Sequence, residues 1–461
     1  MLNKIEINNI LKTALKQGFD FIELFFEDTI YKNLKIINKK IISYNSGNIF
    51  GVGIRLLKNT KEVYIYTNEV NYQTILNLIK EQKKYSCEKN IISLIPLGKS
   101  KIFKNEFKKP FNSVTTKEKT QKMIDLSTIM MKYSDYITKT IVNMEEKEQK
   151  VLIINSKGVY QNDFRPYIKC SLTSIAQKKQ NLQEFHDSIG RSMGLEFFDV
   201  INLKEKALKV AQNAVILLDA LELKPQNMPV VINNGVGGVI FHEACGHSLE
   251  ATAVAKGLSP FCGKINQKIA SELITAFDDG NISTAWGKLN FDDEGNKTQK
   301  NLLIKNGILK NYLIDYRNSL RMKMPPTGSS RRESYKYSPT SRMNSTYIAP
   351  GKHKPEDIIK DTSYGLYAQN LGGGTVSTAT GEFNFMVNLG YLIEKGKITK
   401  PVKGMMLIGY GQEILLKIDR VGNDLNFSQG YCGSISGYIP VDLGQPTIRV
   451  TKMIVGGGKN E

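Results

Sequence analysis

The sequence predicts an α+β protein, with N-terminal and central α/β regions followed by a β-rich C-terminal domain that carries a short His-Glu helix. Up to residue 220, segments of helical periodicity alternate with short β-rich runs. A proline-containing linker follows at residues 224–229, and from Val230 the chain is rich in glycine and strand-forming residues. A chain of 461 residues exceeds what one hydrophobic core usually organises. The predicted domains are residues 1–110, 111–226 and 227–461.

The N-terminal region begins with a predicted helix over residues 2–17, whose apolar positions recur at helical spacing. Gly18 is suited to the position after its last turn. Five short strands follow, separated by polar turns: residues 21–28, 31–37, 40–45, 51–57 and 62–67. A helix over 72–84 closes the region, and the lysine-rich residues 85–109 are interpreted as a connector.

The central region begins with a predicted helix over residues 116–133, which has apolar side chains along one side. Strands are predicted at residues 137–144, 150–155 and 166–176. Residues 177–196 are polar and are interpreted as a loop that holds His186, more often a surface residue than a ligand. A helix over 203–220 leads to the linker.

The C-terminal domain opens with a buried strand at residues 229–233 and a glycine turn at 235–238, which is expected to pack a strand closely against the following helix. Residues 372–377 and 381–387 are expected to be strands around a turn, and 391–398 a hairpin. Two acidic segments, 278–280 and 292–295, lack a calcium-binding loop and are better explained as turns. Residues 328–334 predict an exposed polar loop, in which Arg331 and Arg332 either line a substrate groove or are solvated.

Composition narrows the functional classes. The net charge is +19, but the lysines are spread along the whole chain without a basic arm, so a nucleic-acid partner is disfavoured. No apolar run approaches the roughly 18 residues of a membrane span, and no signal peptide is recognisable. The five cysteines are odd in number and far apart, which favours a reduced, cytoplasmic setting. These cysteines are Cys87, Cys170, Cys245, Cys262 and Cys432.

The segment 241–250 contains two of only four histidines, His242 and His247, with Glu243 directly after the first. Their i, i+5 spacing would place them roughly 140° apart on a regular helix, too far for one metal ion. A single wide turn with i→i+5 hydrogen bonds would bring them together, and such bulges occur mostly at functional sites. Gly246 makes that distortion easier. The sequence therefore predicts a kinked or π-bulged helix over 236–250; two unrelated histidines on a regular buried helix are the alternative.

A His-Glu pair followed by a second histidine is typical of hydrolytic zinc sites, in which two imidazoles bind the metal and a carboxylate lies beside the attacking water. Such a site needs a third protein ligand and an open position for water. No other histidine lies in a comparably tight setting. Cys245, inside the motif, could compete for the metal, although its position favours packing as a small apolar group.

The order of motifs in the second half of the sequence resembles that of the TldD/PmbA family. The His-Glu-x-x-x-His motif resembles that of TldD-type members. The motifs are Leu289-Asn-Phe-Asp-Asp-Glu-Gly295, Pro326-Thr-Gly with Arg331-Arg-Glu-Ser334, Asn370-Leu-Gly-Gly-Gly374, Pro401-Val-Lys-Gly404, 418–424, Cys432-Gly433, and Leu443-Gly-Gln-Pro-Thr447 ending in Val455-Gly-Gly457. The resemblance is dense from Met228 to Gly457 and fainter towards residue 1.

This resemblance implies a zinc metallopeptidase with a β-rich catalytic domain. By motif match, His242 and His247 would be zinc ligands, Cys432 the third ligand and Glu243 the general base. Members of the family cleave unfolded peptides, mature modified peptide antibiotics, and have been described as modulators of DNA gyrase. The resemblance also implies a TldE/PmbA-type partner in a heterodimer, with a homodimer as the alternative.

Two expectations follow for function. A thiolate ligand weakens Lewis acidity relative to a third imidazole, so slow turnover is expected. The peptide substrate is expected to lie extended along a sheet edge, held by backbone hydrogen bonds. Two alternatives remain: a non-catalytic peptide-binding or modulator protein, indifferent to Glu243→Gln, and a nucleic-acid binder, whose affinity would fall steeply with salt.

Overall fold

The computed structural model describes residues 2–82, 94–99, 108–377 and 379–457. Most of the predicted connector 85–109, Cys87 and the predicted end of the helix over 72–84 lie outside these residues. Within the described ranges, no helix has the length and apolar character required to cross a membrane. The architecture is α+β, as the sequence predicts.

The N-terminal region consists of two helices and three strands. Its elements are α1 (Lys4–Lys16), β1 (Phe21–Ile37), β2 (Lys40–Lys58), β3 (Lys61–Thr67) and α2 (Tyr72–Lys80). The Asn3 side chain accepts hydrogen bonds from the first turn of α1, while Glu6 bonds back to the Asn3 amide, which fixes where this helix begins. The two strands predicted at 21–37 form one strand, because β1 pairs with a neighbour on both sides throughout this range. Strand β2 also spans two predicted strands, because it pairs with β1 from Lys40 to Leu57.

The central region contributes three more strands to the same sheet. Its elements are α3 (Thr116–Met131), β4 (Ile137–Asn155), β5 (Tyr160–Lys178), β6 (Asn181–Arg191), α4 (Phe197–Val200), α5 (Leu203–Ile216) and a 3-10 turn (Leu217–Asp219). The sheet has the order β3-β2-β1-β4-β5-β6 and is antiparallel throughout. Strands from both sides of residues 110 and 111 therefore share one sheet, and the division there stays a prediction.

His186 was predicted to lie in a loop, and this prediction is wrong. It lies on β6, opposite Thr173 of β5, and the Thr173 hydroxyl is 2.9 Å from His186 Nδ1. The segment is polar because one face of the edge strand β6 is open to solvent, and polarity alone does not distinguish such a strand from a loop.

The described residues of the C-terminal domain form two large sheets and one two-stranded sheet. Its strands are β7 (Leu221–Glu222), β8 (Gln226–Ile232), β9 (Ala276–Asp279), β10 (Lys300–Lys305), β11 (Ile308–Leu309), β12 (Ser330–Arg331), β13 (Thr340–Ser341), β14 (Ser345–Ile348), β15 (Tyr364–Val376), β16 (Glu382–Glu394), β17 (Lys397–Lys403), β18 (Met405–Tyr410), β19 (Ile418–Val421), β20 (Asn426–Ser434), β21 (Gly437–Gln445) and β22 (Ile448–Gly456). Its helices are α6 (Gly238–Phe241), α7 (Ala251–Val254), α8 (Tyr316–Met322), α9 (Pro355–Lys360) and α10 (Gly411–Ile414). The predicted strands around a turn, β15 and β16, and the hairpin of β16 and β17 are confirmed.

These sheets enclose the motif helix. A six-stranded sheet has the order β11-β10-β9-β14-β21-β20, and an eight-stranded sheet has the order β15-β8-β22-β18-β16-β17-β7. Phe241, Ala244 and Cys245 belong to the hydrophobic core formed with strands of both sheets. The helix is thus held from two sides, which positions its histidines beside the end of β20.

Buried ion pairs join the first sheet to the C-terminal domain. The Arg55 guanidinium of β2 contacts Glu62 at 2.6 Å and also pairs with Glu294. The Arg165 guanidinium of β5 lies 2.7 Å from Asp293. Residues 293–295 form a turn in which the Asp292 carboxylate accepts backbone hydrogen bonds, so the predicted turn at 292–295 is confirmed.

The prediction that Arg331 and Arg332 lie in an exposed loop is wrong. Their exposed fractions are 2% and 3%. Arg332 pairs with Glu23 of the first sheet, and its guanidinium lies 4.3 Å from the Phe25 ring centroid. Arg331 donates to the Met343 carbonyl at 2.7 Å. Arg332 therefore joins the first sheet to the C-terminal domain, whereas Arg331 is hydrogen-bonded within the C-terminal domain.

Candidate metal centre

The motif helix changes its winding at the first histidine. Helix α6 runs into a π turn over His242–Gly246, and a 3-10 turn follows over His247–Leu249. The predicted π bulge is therefore confirmed. Because the wide turn takes up the extra residue, the two imidazole rings approach to 5.0 Å between centroids and stand at 86° to each other. The geometry removes the obstacle that the i, i+5 spacing posed to a shared metal ion.

Gly246 is required for a different reason from the predicted one. Its φ of −53° is an ordinary helical value, so the π turn does not need the backbone freedom of glycine here. A Cβ at this position would instead lie 2.2 Å from Met343 Sδ. At Gly238 a Cβ would lie 2.6 Å from the backbone nitrogen of Gly444. Gly238 therefore permits close packing of the motif helix against β21, as was expected for residues 235–238. Gly246 permits close packing against Met343.

Cys432 reaches the two histidines from edge strand β20. Its Sγ lies 3.4 Å from His242 Nε2 and 3.2 Å from His247 Nε2. These three atoms all lie within 4.8 Å of one another, and all three residues are buried. A tetrahedral zinc ion with ordinary bond lengths places a nitrogen and a sulfur ligand about 3.6 Å apart. The spacing and the donor types therefore fit one zinc ion.

Glu243 lies on the accessible side of this cluster. Its Oε2 is 3.6 Å from His247 Nε2, and its side chain is 23% exposed against 10% for His247. The carboxylate thus lies next to the clustered donor atoms while remaining within reach of solvent or a bound molecule. This is the position expected of a group that accepts a proton from an attacking water.

The electrostatics of the two histidines differ. Burial lowers the pKa of His242 well below its usual value, and nearby His247 and Arg342 add to this effect. Burial also acts to lower the pKa of His247, but the negative charges of Glu250 and Cys432 raise it well above its usual value. Burial therefore favours the neutral form of His242, in which an imidazole binds a metal, whereas Glu250 and Cys432 favour the protonated form of His247.

Glu243 and Cys245 are both shifted by burial. Burial raises the pKa of Glu243, and the neighbouring Glu250 carboxylate raises it further, while His247 opposes both. A raised pKa brings a carboxylate closer to the range in which it can accept and return a proton near neutrality. Cys245 is fully buried in the hydrophobic core, and burial raises the pKa of its thiol. It packs as a small apolar group, as expected, and is not one of the three clustered residues.

Two neighbouring residues were missed by the sequence reasoning. Glu250 lies 3.2 Å from His247 Nδ1, and Arg342 donates to the Cys432 carbonyl at 2.5 Å. Glu250 carried a local signal, since it follows His247 by three residues in a short helical turn. Arg342 carried none, because only the tertiary fold brings it to this place.

The chain matches three consecutive domains of one family. Residues 225–457 match the PmbA/TldA metallopeptidase C-terminal domain, 109–218 the central domain and 22–84 domain 1. A TldD-homologue metalloprotease from Haemophilus influenzae is 34% identical, over 97% of this chain and 95% of that protein. The chain belongs to the PmbA/TldD metallopeptidase family. A second TldD-homologue metalloprotease, from Buchnera aphidicola, is 32% identical over 99% of this chain and 96% of that protein.

A more distant relative and solved structures also match nearly the whole chain. A zinc metalloprotease TldD homologue from Saccharolobus solfataricus is 26% identical over 97% of this chain and 99% of that protein. Two solved structures are similar. A Thermotoga maritima protein described as a modulator of a DNA gyrase has a TM-score of 0.81 and 19% identity, covering 98% of this chain and 100% of that one. TldE from Thermococcus kodakarensis has a TM-score of 0.77 and 18% identity, with the same coverage. At these identities the structures establish the fold alone.

The close packing around the π turn of this PmbA/TldD chain gives a testable prediction. A Cβ on Gly411 would lie 2.0 Å from the Ala244 carbonyl oxygen, in the middle of the π turn. Gly411→Ala is expected to lower the free energy of unfolding by about 1–3 kcal/mol, since backbone must move to relieve the clash. Gly373→Ala is the matched control, because nothing lies within 4 Å of its Cβ position. Urea unfolding of both variants checks this, and equal midpoints would contradict it.

Proposed function

We propose that the chain is a zinc-dependent metallopeptidase that hydrolyses peptide bonds in unfolded or extended peptides. In this proposal His242, His247 and Cys432 bind zinc and Glu243 is the general base. The observation that carries the proposal is the convergence of the two imidazoles and the thiol within 4.8 Å, with the Glu243 carboxylate beside them. The description of the Saccharolobus solfataricus relative as a zinc metalloprotease supports the choice of metal.

In this proposal, Glu243 and His242 have different roles in the reaction. Bound zinc supplies a Lewis acid that polarises the scissile carbonyl and lowers the pKa of water. Glu243 accepts the proton of the attacking water and delivers it to the leaving amine, from a carboxylate whose pKa burial has raised. His242, kept neutral by burial, holds its place in the ligand set without competing protonation near neutral pH.

Cys432 distinguishes this donor set from one with three imidazoles. A thiolate donates more charge to the metal than a neutral imidazole does, which weakens the Lewis acid. Turnover slower than that of peptidases with three neutral ligands is consistent with this donor set. Such an enzyme suits peptide processing, either maturation or degradation, in which few substrates are cut per chain.

The position of Cys432 supports the extended-peptide hypothesis. Strand β20 is the outer strand of its six-stranded sheet and carries Cys432 near its end. A peptide extended along this strand would bring its backbone to the three clustered donor atoms and to Glu243. Backbone pairing of this kind requires little from the peptide side chains, which suits a substrate class defined by being unfolded.

This hypothesis predicts an alternating response to proline in the substrate. Proline lacks the backbone N–H, so it should sharply reduce cleavage at positions near the cut whose N–H faces the protein strand. The neighbouring positions, whose N–H points away, should tolerate it better. Cleavage rates of a proline-scanned peptide series check this, with an alanine scan of the same peptide as control. A response that does not depend on position would contradict the pairing.

A partner subunit is part of the proposal. The fold likeness to TldE from Thermococcus kodakarensis supports a TldE/PmbA-type partner in a heterodimer, and a homodimer of this chain is the alternative. We propose that the enzyme is cytoplasmic, because its cysteines are odd in number and far apart in the sequence. Co-purification with a TldE/PmbA-type chain from the same source distinguishes the two assemblies.

Metal content is the first test of the proposal. Elemental analysis of the purified chain is expected to give about one zinc per chain, and loss of zinc in His247→Ala and in Cys432→Ala, because either change removes one of three ligands. Cys245→Ala is the matched control, a neighbouring cysteine in the hydrophobic core that should leave the zinc content unchanged. Absence of zinc after reconstitution, with or without a partner chain, would favour the non-catalytic binding alternative.

A further inference from the structure

We propose that Glu250 and Arg342 act together as positioning residues for the metal centre, one behind His247 and the other behind Cys432. This inference rests on the proposed zinc site. Glu250 and Arg342 lie outside the ligand set. They orient His247 and Cys432, two ligands that come from elements far apart in sequence but would bind the same ion.

Glu250 fixes the orientation of the His247 ring. Its Oε2 lies 3.2 Å from His247 Nδ1, and its side chain is only 7% exposed. A carboxylate at this nitrogen holds the proton on Nδ1, which leaves the lone pair of Nε2 directed towards Cys432 and His242. His242 has no such support, since its Nδ1 is buried without a hydrogen-bond partner among the described residues. The orientation of the His247 ring therefore depends on Glu250.

Arg342 fixes the hairpin that carries Cys432. Its side chain is fully buried. The guanidinium donates to the Cys432 carbonyl at 2.5 Å, to the Gly437 carbonyl at 3.1 Å and to the Ser436 hydroxyl at 2.9 Å. These acceptors lie on both strands of the β20–β21 hairpin and on its turn. One planar group thus sets the position of the backbone from which Sγ projects.

The two residues are joined by an ion pair. Arg342 Nε lies 3.9 Å from Glu250 Oε1, and within the described part of the chain neither atom has a hydrogen-bond partner of its own. A buried carboxylate needs an opposite charge, and Arg342 is the cation that supplies it here. The chain of contacts therefore runs from His247 through Glu250 and Arg342 to the backbone of Cys432. It couples the π turn on one side of the site to the edge strand on the other.

The test is the zinc affinity of the full chain, measured by competition with a chromophoric chelator. Glu250→Gln, which keeps the shape of the side chain but not its charge, and Arg342→Lys, which keeps the charge but not the planar fork, are each expected to weaken zinc binding about 10–100-fold. Glu272→Gln is the matched control, an exposed glutamate in a surface ion pair with Lys268, and should leave the affinity unchanged.

Cobalt substitution separates positioning from a general loss of structure. In the Co²⁺-loaded chain, Arg342→Lys is expected to weaken the thiolate-to-cobalt absorption band, which reports ligation by Cys432. Glu250→Gln is expected to retain that band and to alter the ligand-field bands. The unfolding midpoint without metal shows whether each variant still folds. If Glu250→Gln does not fold, Glu250→Asp, which keeps the charge at shorter reach, decides the question through the same two measurements.

The outcomes distinguish this inference from the proposed function. If the parent chain binds zinc and both variants bind it within threefold of the parent, the positioning role is wrong while the zinc site stands. If the parent chain binds no zinc, both proposals are overturned. Weaker binding with unchanged cobalt spectra would also overturn the inference, because it would show a loss of stability without displacement of a ligand.

Discussion

Replacing Glu243 with glutamine is expected to lower kcat for peptide hydrolysis by about 10²–10⁴-fold, the usual contribution of a general base. The amide keeps the shape and most contacts of the carboxylate but cannot accept a proton. Because Glu243 is adjacent to the clustered donor atoms without being one of them, zinc content and KM should change little. Steady-state kinetics on an unstructured peptide, beside elemental analysis of the same preparation, measures both quantities.

Two results would contradict this expectation. A variant that retains more than about one tenth of the parent kcat would exclude Glu243 as the base, since the expected loss is at least tenfold greater. A variant that loses its zinc would instead show that Glu243 supports the metal. Glu272→Gln, on the surface, is the matched control for the exchange of a carboxylate for an amide.

Replacing Arg55 with methionine is expected to lower the free energy of unfolding by about 3–5 kcal/mol, the usual cost of removing one partner from a buried ion pair. Arg55 is 1% exposed and pairs with Glu62 and Glu294, and Glu23 lies 4.0 Å away. Without the guanidinium, these carboxylates would be left in a desolvated interface. Denaturant unfolding followed by tryptophan fluorescence measures the loss, since the single Trp286 lies buried in the C-terminal domain.

The pH dependence of this loss is also predictable. Burial is the largest cause that raises the pKa of Glu294 to about 8, in spite of the opposing effect of Arg55. The stability that such a carboxyl contributes is fully present below its unfolded pKa, near 4.5, and is lost as the pH rises from there through about 8. Because Arg55 lowers the pKa of Glu294 in the folded protein, removing Arg55 raises this pKa further and extends the loss to higher pH. The destabilisation by Arg55→Met should therefore be larger at pH 9 than at pH 6.

A surface ion pair provides the comparison for Arg55. Lys268 and Glu272 form a pair at 3.4 Å, with side chains 54% and 82% exposed. Lys268→Met should change the free energy of unfolding by no more than about 0.5 kcal/mol. If Arg55→Met were as mild as Lys268→Met, the charged contacts between the first sheet and the C-terminal domain would contribute little to stability.

The sequence predictions were most accurate where all the relevant residues lie in one short segment. The spacing of His242 and His247, set against the pitch of a helix, was enough to predict the π turn. The pairing of Cys432 with these histidines was implied only by family resemblance, since 185 residues separate it from the nearer one. Arg342 left no trace in the sequence, because its acceptors are backbone atoms of a distant hairpin.

The errors have a common physical origin. Arg331 and Arg332 have the composition of a solvated loop, and their burial depends on partners such as Glu23, which lies 309 residues from Arg332. The long strands β1, β2 and β4 were divided or shortened at polar residues, whereas the actual strands continue because a neighbouring strand pairs with them there. A polar segment is therefore exposed to solvent only when no other part of the chain covers it.

The continuous first sheet bears on how this protein can be dissected. Strand β1 pairs with β4 from Glu23–Asn155 to Ile37–Ile141, so the parts that match domain 1 and the central domain share one hydrogen-bonded ladder. Expressed alone, either fragment would uncover a long, unpaired strand edge, which is a template for aggregation. Supplied together as two chains, the fragments would carry the complementary edges of β1 and β4. The boundary between the parts that match domain 1 and the central domain therefore lies within one sheet, and a fragment that keeps the sheet β3-β2-β1-β4-β5-β6 intact must include both parts.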